Sequence, residues 1–254
     1  MSFFSYIFSF YFSFYFHLMY NSTMKLKLLF DCDDTLYDLS WPFRMTVERL
    51  LPKENINTLN LETLYNQYRS FGDEIFNLVQ NNKITIFDSG VYRIEKLCQA
   101  NGIPISHKDA KKFQKMYLEY QHNISLPEPL KRYFENTNAE IAILSNGEYE
   151  HQYNKVKTLG MDRYVKSTSI FISGQLGCAK PDPKAFLTVM DQLHEFSSDW
   201  YYIGDNYKID MEGAKKAGMK TIHFNRHHKQ EGPASDYVVY TDEELIELLK
   251  GFED

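Results

Sequence analysis

The chain predicts an α/β fold: a parallel β-sheet covered by helices on both faces, with an all-helical unit inserted near its start. Three observations predict it. From about residue 123 onward, short apolar runs alternate with stretches of helical period, the pattern of strands joined by crossover helices. Residues 37–122 instead carry helical spacing almost throughout. The first apolar run, Leu26 to Phe30, stops abruptly at three carboxylates, Asp31, Asp33 and Asp34. In an open parallel sheet, sites lie beyond the carboxyl ends of the strands, and that is where these acids fall.

In chain order, Lys25 to Phe30 reads as the first strand. Ser40-Trp41-Pro42 reads as an N-cap with an early proline, opening a helix through Leu51. Leu61, Leu64, Tyr65, Tyr68, Phe71, Ile75, Phe76 and Val79 recur at helical spacing, and two further helices follow over 90–100 and 108–120. Such an aromatic stripe is expected to be buried core rather than a ligand cradle, and Trp41 to pack within it. An insertion at this point overhangs the end of the first strand, where a lid belongs. Helices are then expected over 127–136, 150–159, 183–194, 209–217 and 242–249, with Gly160 and Gly218 ending two of them. Strands are expected over 140–144, 170–172, 200–203, 220–224 and 237–239. The division is thus a core of 24–38 and 123–254, and a helical cap of 39–122.

Residues 1–23 stand apart. The first twenty-four residues carry no Asp, Glu, Lys or Arg, and eleven of the first twenty are Phe or Tyr. The stretch is nearly long enough for a membrane span, but it lacks a basic n-region and a small-residue cleavage site. Sequence upstream of a true start at Met24 is the expectation, with a membrane anchor and an aromatic partner-binding tail as the alternatives. None of the three belongs to the fold. The formal charge of −6 and the absence of a Lys/Arg-rich block argue against polymeric nucleic acid as partner. Three cysteines without metal-ligand spacing suit a reduced, cytoplasmic protein.

The polar clusters that follow the strands carry the chemistry. In extended chain, Asp31 and Asp33 point to one side, and their repulsion calls for a bound cation or a shared proton. Both are catalytic tools. Ser145-Asn146-Gly147 ends the second strand ahead of a helix N-terminus, where backbone N–H groups bind phosphate well. Lys180, stiffened by Pro181, precedes another helix as a fixed cation. Asp205 and Asp210 follow the strand that ends at Gly204. A metal or a helix cap would explain each of them.

Together, Asp31-Cys32-Asp33-Asp34-Thr35, Ser145, Lys180 and the Asp205/Asp210 pair resemble the four ordered motifs of the haloacid dehalogenase superfamily, from Met24 onward. The inserted helices resemble its all-helical cap on a Rossmann-like core, in the branch similar to pyrimidine 5′-nucleotidases. Asp34 stands where many relatives have glycine. The resemblance implies a phosphatase acting on a small phosphorylated metabolite, a nucleoside monophosphate or a sugar phosphate. It implies Asp31 as the nucleophile forming an aspartyl-phosphate, and Asp33 as general acid and then base. It implies Mg²⁺ held by Asp31, the Asp33 carbonyl and Asp205, with Asp210 behind them, and phosphate oxygens bound by Ser145, Asn146 and Lys180. A phosphomutase, a 2-haloacid dehalogenase and a non-catalytic binding module remain alternatives. The dehalogenase would need neither the Asp33 acid nor a metal.

Four further residues draw attention. His151 sits near the expected mouth. His227-His228, in a polar loop before Gly232 and Pro233, reads as solvated rather than as a metal site. Cys32 and Cys178 flank expected site residues and read as buried, inert thiols, unless nearby lysines lower a thiol pKa.

Overall fold

The computed structural model describes residues 25–52, 59–81 and 83–253; the 1–23 segment lies outside them. Among the described residues, six strands form one parallel sheet: β1 (Lys27–Phe30), β2 (Glu140–Ser145), β3 (Ile170–Ile172), β4 (Trp200–Gly204), β5 (Lys220–Phe224) and β6 (Tyr237–Val239). Their order across the sheet is β3-β2-β1-β4-β5-β6, so β1 lies in the middle. Phe30 pairs with Ile143 on one side and Ile203 on the other, which puts the ends of β1, β2 and β4 at one level.

Side-chain alternation divides the core. Leu28 and Phe30 face one layer, and Leu29 faces the other with Phe186, Trp200 and Tyr202. β1 to β4 are buried on both faces and almost wholly apolar, which is why they could be read from short apolar runs, whereas β5 carries buried Thr221 and His223 and β6 is partly exposed.

Between β1 and β2 the described residues form five helices: α1 (Ser40–Leu50), α2 (Leu61–Gln80), α3 (Ile86–Ala100), α4 (His107–Gln121) and α5 (Glu128–Asn136). The first four make the helical cap. α3 starts four residues before the expected Gly90, because Thr85 caps it with a bond from the Asp88 N–H. Ser106 caps α4 in the same way through Asp109. The stripe is core at Leu64, Tyr65, Tyr68 and Ile75, as expected, and the Phe43 ring meets Tyr65, Tyr68 and Phe113 at 5.7, 4.9 and 6.2 Å. Its far end departs from the expectation, because Phe76 and Val79 are only half-buried and line the cavity over the strand ends. Each such fully buried ring contributes roughly 1.5–3 kcal/mol through burial. Trp41 packs edge-on against Tyr120 at 5.6 Å. This apolar layer is continuous with the β1 layer of the sheet, so cap and core share one interior.

The second half adds α6 (Tyr149–Thr158), the short α7 (Ser173–Leu176), α8 (Pro183–Leu193), α9 (Glu212–Lys216) and α10 (Asp242–Glu253). The helix expected over 209–217 begins instead with a widened π turn, Tyr207–Met211, before α9. Among the described residues, no helix is long and apolar enough to cross a membrane.

Candidate active site

The strand ends and the cap enclose a cavity of about 280 Å³, lined on the core side by Asp31, Asp33, Ser145, Lys180 and Asp205. Asp31 leaves β1 with its N–H donating to Ile203 O at 2.8 Å, which continues the β1–β4 ladder one residue past Phe30. Lys180 lies beneath it. Its ammonium donates to Asp31 Oδ1 at 2.7 Å, to Asp210 Oδ1 at 2.8 Å and to the Tyr202 hydroxyl at 2.7 Å. The Tyr202 hydroxyl in turn donates to Asp210 Oδ1 at 3.0 Å. Burial disfavours the Lys180 charge, but Asp210 and Asp31 outweigh it and hold the lysine protonated.

The backbone that carries Lys180 is fixed by Asn146, whose Nδ2 donates to Lys180 O at 2.7 Å and whose Oδ1 accepts from Lys180 N at 2.9 Å. The Asn146 side chain is thus spent on the lysine loop. Ser145 ends β2 buried, on the cavity wall. Asp210 fits only because Gly204 has no side chain: a Cβ there would stand 2.6 Å from Asp210 Cγ.

Carboxylate oxygens of Asp31, Asp205 and Asp210 lie within 4.8 Å of one another, all buried. Burial pushes Asp31 up to about 8; Lys180 opposes the rise, and the Asp210 and Asp205 charges add to it. Asp205 is raised too, by burial first and by the Asp34 and Asp210 charges, against Lys229. Lys180 takes one oxygen of Asp31 and Lys229 one of Asp205, the latter at 2.8 Å. The other oxygen of each accepts no hydrogen bond from the described residues. Two free, hard oxygens in a cluster where three carboxylates outnumber two ammonium groups suit a small divalent cation.

Asp33 stands apart from that cluster. Lys155 of α6 donates to both of its oxygens at 2.9 Å, Tyr37 to Oδ1 at 2.5 Å and Gln152 to Oδ2 at 3.0 Å. Burial alone would raise its pKa, but Lys155, Arg69 and the Tyr37 bond together hold it well below the ordinary carboxylate range. The expected crowding of Asp31 and Asp33 is therefore relieved by two different lysines, not by Lys180 and a metal alone. His151, beside Lys155, also lines the cavity, and burial keeps it neutral, with its pKa pulled down to about 3.

The histidine loop corrects the sequence reading. His227 is buried, not solvated: its Nε2 lies 3.1 Å from Asp34 Oδ1, and Glu62 of the cap sits 2.8 Å from its Nδ1. Asp34 also accepts bonds from Leu39 N and the Tyr65 hydroxyl. Asp34, left-handed at φ 59°, occupies a backbone conformation that glycine adopts freely, and it uses its side chain to tie cap to core. His228 is exposed, as expected, and stacks on Tyr240 at 4.9 Å. Cys32 is buried, and burial pushes its thiol well above the ordinary range, so the lysines do not activate it. Cys178 is only half-buried.

Sequence reasoning missed Lys155, Gln152, Arg69 and Lys229. Gln152 and Lys155, three residues apart on the first turns after Ser145-Asn146-Gly147, share the helix face that looks at the cavity.

A parallel sheet with three acids and a lysine at its strand ends, under an inserted helical cap, defines a class of capped α/β hydrolase. The family model of haloacid dehalogenase-like hydrolases matches residues 28–224, and the chain belongs to that family. It is similar to the HAD-hydrolase YfnB of Bacillus subtilis (25% identity, covering 87% of this chain and 94% of the relative). The crystal structure of YfnB bound to magnesium matches the fold with a TM-score of 0.63, at 24% identity, over 89% of this chain and 98% of that one. The chain is also similar to the pyrimidine 5′-nucleotidase PynA of Streptococcus pneumoniae (24% identity, 87% of this chain, 94% of the relative). In fold alone it matches L-2-haloacid dehalogenase from Xanthobacter autotrophicus (TM-score 0.67, 16% identity, 90% of this chain and 99% of that one).

Proposed function

We propose that the protein is a Mg²⁺-dependent phosphatase that hydrolyses a small phosphorylated metabolite, a nucleoside monophosphate or a sugar phosphate, through an aspartyl-phosphate on Asp31. The observation that carries the reading is the Lys180 ammonium, bonded at once to Asp31 and Asp210 beneath a cavity into which Ser145 also faces. Asp31 and Asp205, with the Asp33 carbonyl, would hold the Mg²⁺, and the ion would neutralise charge on the phosphoryl oxygens. Asp210 orients Lys180 rather than reaching the substrate. Lys180, Ser145 and the Asn146 N–H stabilise the oxygens of the transferring group.

Asp31 attacks phosphorus as the bond to the leaving oxygen breaks, and Asp33, once its bonds are loosened and it has taken a proton from water, gives that proton to the leaving oxygen. Asp33 then accepts a proton from the water that hydrolyses the aspartyl-phosphate. Its bonds to Lys155, Tyr37 and Gln152 keep it ionised before substrate arrives, so substrate entry has to loosen them. The PynA likeness supports a nucleotide as substrate. A dehalogenase would have no use for Asp33, Asp205 and their lysine partners together. The test is phosphate release from a panel of phosphorylated metabolites and from 2-chloropropionate as dehalogenase substrate, after chelation and after Mg²⁺ is restored. Phosphate release that depends on Mg²⁺ supports the proposal. Chloride release, or phosphate release indifferent to chelation, refutes it.

A further inference from the structure

We propose that Lys229 is a resident counter-ion of the metal site: it holds Asp205 in place while the site is empty and weakens the grip of the site on a divalent cation. The inference rests on the metal of the proposed function and adds the residue that sets how tightly that metal is held. Lys229 lies in the loop after β5. Its ammonium donates to Asp205 Oδ2 at 2.8 Å and stands 3.7 Å from Asp34 Oδ2. Asp205 lines the cavity, whereas Lys229 does not. One oxygen of Asp205 is thus taken by a fixed charge, and the other is left for a ligand. A lysine that stays off the cavity wall can keep its bond when the ion arrives.

The lysine is placed by its loop. Asn225, buried at 1% exposure, donates from Nδ2 to Lys229 O at 3.1 Å and accepts at Oδ1 from Lys229 N at 2.7 Å. The Asn225 N–H donates to Val239 O at 2.8 Å, which ties the grip to β6. Asn146 holds the backbone of Lys180 by the same two bonds. The device is built twice, once for each ammonium beside the acid cluster. Lys180 reaches Asp31 on the cavity wall, but the ion-pair partners of Lys229 among the described residues are Asp205 and Asp34 alone. Without Lys229, the buried carboxylates of Asp31, Asp205 and Asp210 would face one ammonium instead of two. A metal ion on Asp205 would in turn face the Lys229 ammonium across a single carboxylate. Like charges that close in a buried site repel, and salt screens them little. The charge that steadies the empty site therefore lowers the affinity of the filled one.

The experiment titrates Mg²⁺ calorimetrically into chelator-stripped wild type, Lys229→Met and Lys229→Arg, at mildly alkaline pH so that the carboxylates stay ionised. Urea unfolding of each protein, with and without Mg²⁺, runs alongside. Lys229→Met keeps side-chain length and removes the charge, whereas Lys229→Arg keeps the charge. The expected result is that Lys229→Met binds Mg²⁺ about tenfold or more tighter than wild type. Its metal-free form should unfold at a lower urea midpoint, and saturating Mg²⁺ should raise that midpoint by more than it does in wild type. Lys229→Arg should stay near wild type in both measurements. An ion pair that only supports the fold would lower the midpoint with and without Mg²⁺ alike and leave Mg²⁺ binding equal or weaker; that outcome overturns the proposal. Folding of Lys229→Met only when Mg²⁺ is present upholds it. If Lys229→Met folds in neither state, Asn225→Ala keeps the ammonium but releases its loop, and it should bind Mg²⁺ more tightly than wild type by a smaller factor. Equal or weaker binding by Asn225→Ala then overturns the proposal. The expected binding pattern with no phosphate released from any ester upholds the counter-ion and overturns the phosphatase reading instead. No Mg²⁺ binding by any of these proteins overturns the counter-ion, whichever esters turn over.

Discussion

Asp31 and Asp33 leave the same strand two residues apart, yet the protein treats them as opposites. Asp31 shares Lys180 with Asp210 and stands close to Asp205, and burial among those acids pushes it up to about 8. Asp33 has Lys155 and Tyr37 to itself, shares the Gln152 amide with Asn146 O, and is held below the ordinary carboxylate range. The chemistry of the residue is the same in both places, so the difference comes wholly from the neighbours. A metal ion at Asp31 would lower its pKa and leave it ionised for attack, whereas Asp33 is already held ionised by Lys155 and would have to be freed before it could carry a proton. Paired carboxylates pushed apart in this way are how one site performs both nucleophilic and acid–base steps.

The largest expected effect lies on the Asp31 side. Asp31→Asn should lower turnover by roughly 10⁴-fold or more, as removal of a nucleophile does; steady-state phosphate release on folded protein checks it. Lys180→Ala and Asp205→Asn should each cost on the order of 10²–10³-fold, since they remove a preorganised charge and an expected metal ligand. Lys155→Met addresses the Asp33 side and should cost less. Without the ammonium, burial raises the Asp33 pKa, so the acid limb of the kcat pH profile should move to higher pH. An unmoved limb would mean that Lys155 serves packing alone.

How much of this was legible in sequence follows from how local each partner is. Asp31, Ser145, Lys180 and Asp205 sit at strand ends, where an apolar run followed by a polar residue marks the place without knowledge of the fold. β1 to β4 could be read because burial on both faces leaves them almost wholly apolar. The start of α3 is set by Thr85 and Asp88, a short polar capping pattern that apolar spacing alone does not register. Lys155, Gln152 and Arg69 sit inside helices, where a polar residue looks solvated until the packing partner is known. His227 was misread for the same reason: its partner Asp34 lies 193 residues away.

The smallest expected effect tests the tie between cap and core. Burial disfavours the His227 charge, but the bond and charge of Asp34, together with Glu62, outweigh it, and the His227 pKa is raised in the folded protein. The stability it contributes is therefore full below about pH 6.5, the unfolded value, and is lost as pH rises through the folded one. His227→Gln should cost about 1 kcal/mol at pH 6 and less at pH 9, read as a difference in urea midpoints between variant and wild type. A difference that grew with pH would place the neutral imidazole in the latch.

The account's central claim is that Asp31 and Asp33 perform different steps, and rapid mixing of Asp33→Asn with p-nitrophenyl phosphate tests it most directly. Nitrophenolate leaves without a proton, so Asp31 can still be phosphorylated, whereas the aspartyl-phosphate has lost the base that activates water. The account predicts a burst of about one equivalent of nitrophenolate per enzyme, followed by slow turnover, with a phosphoryl group found on Asp31 by mass spectrometry. No burst and no adduct, with p-nitrophenyl phosphate and a nucleotide slowed alike, would contradict the division of labour.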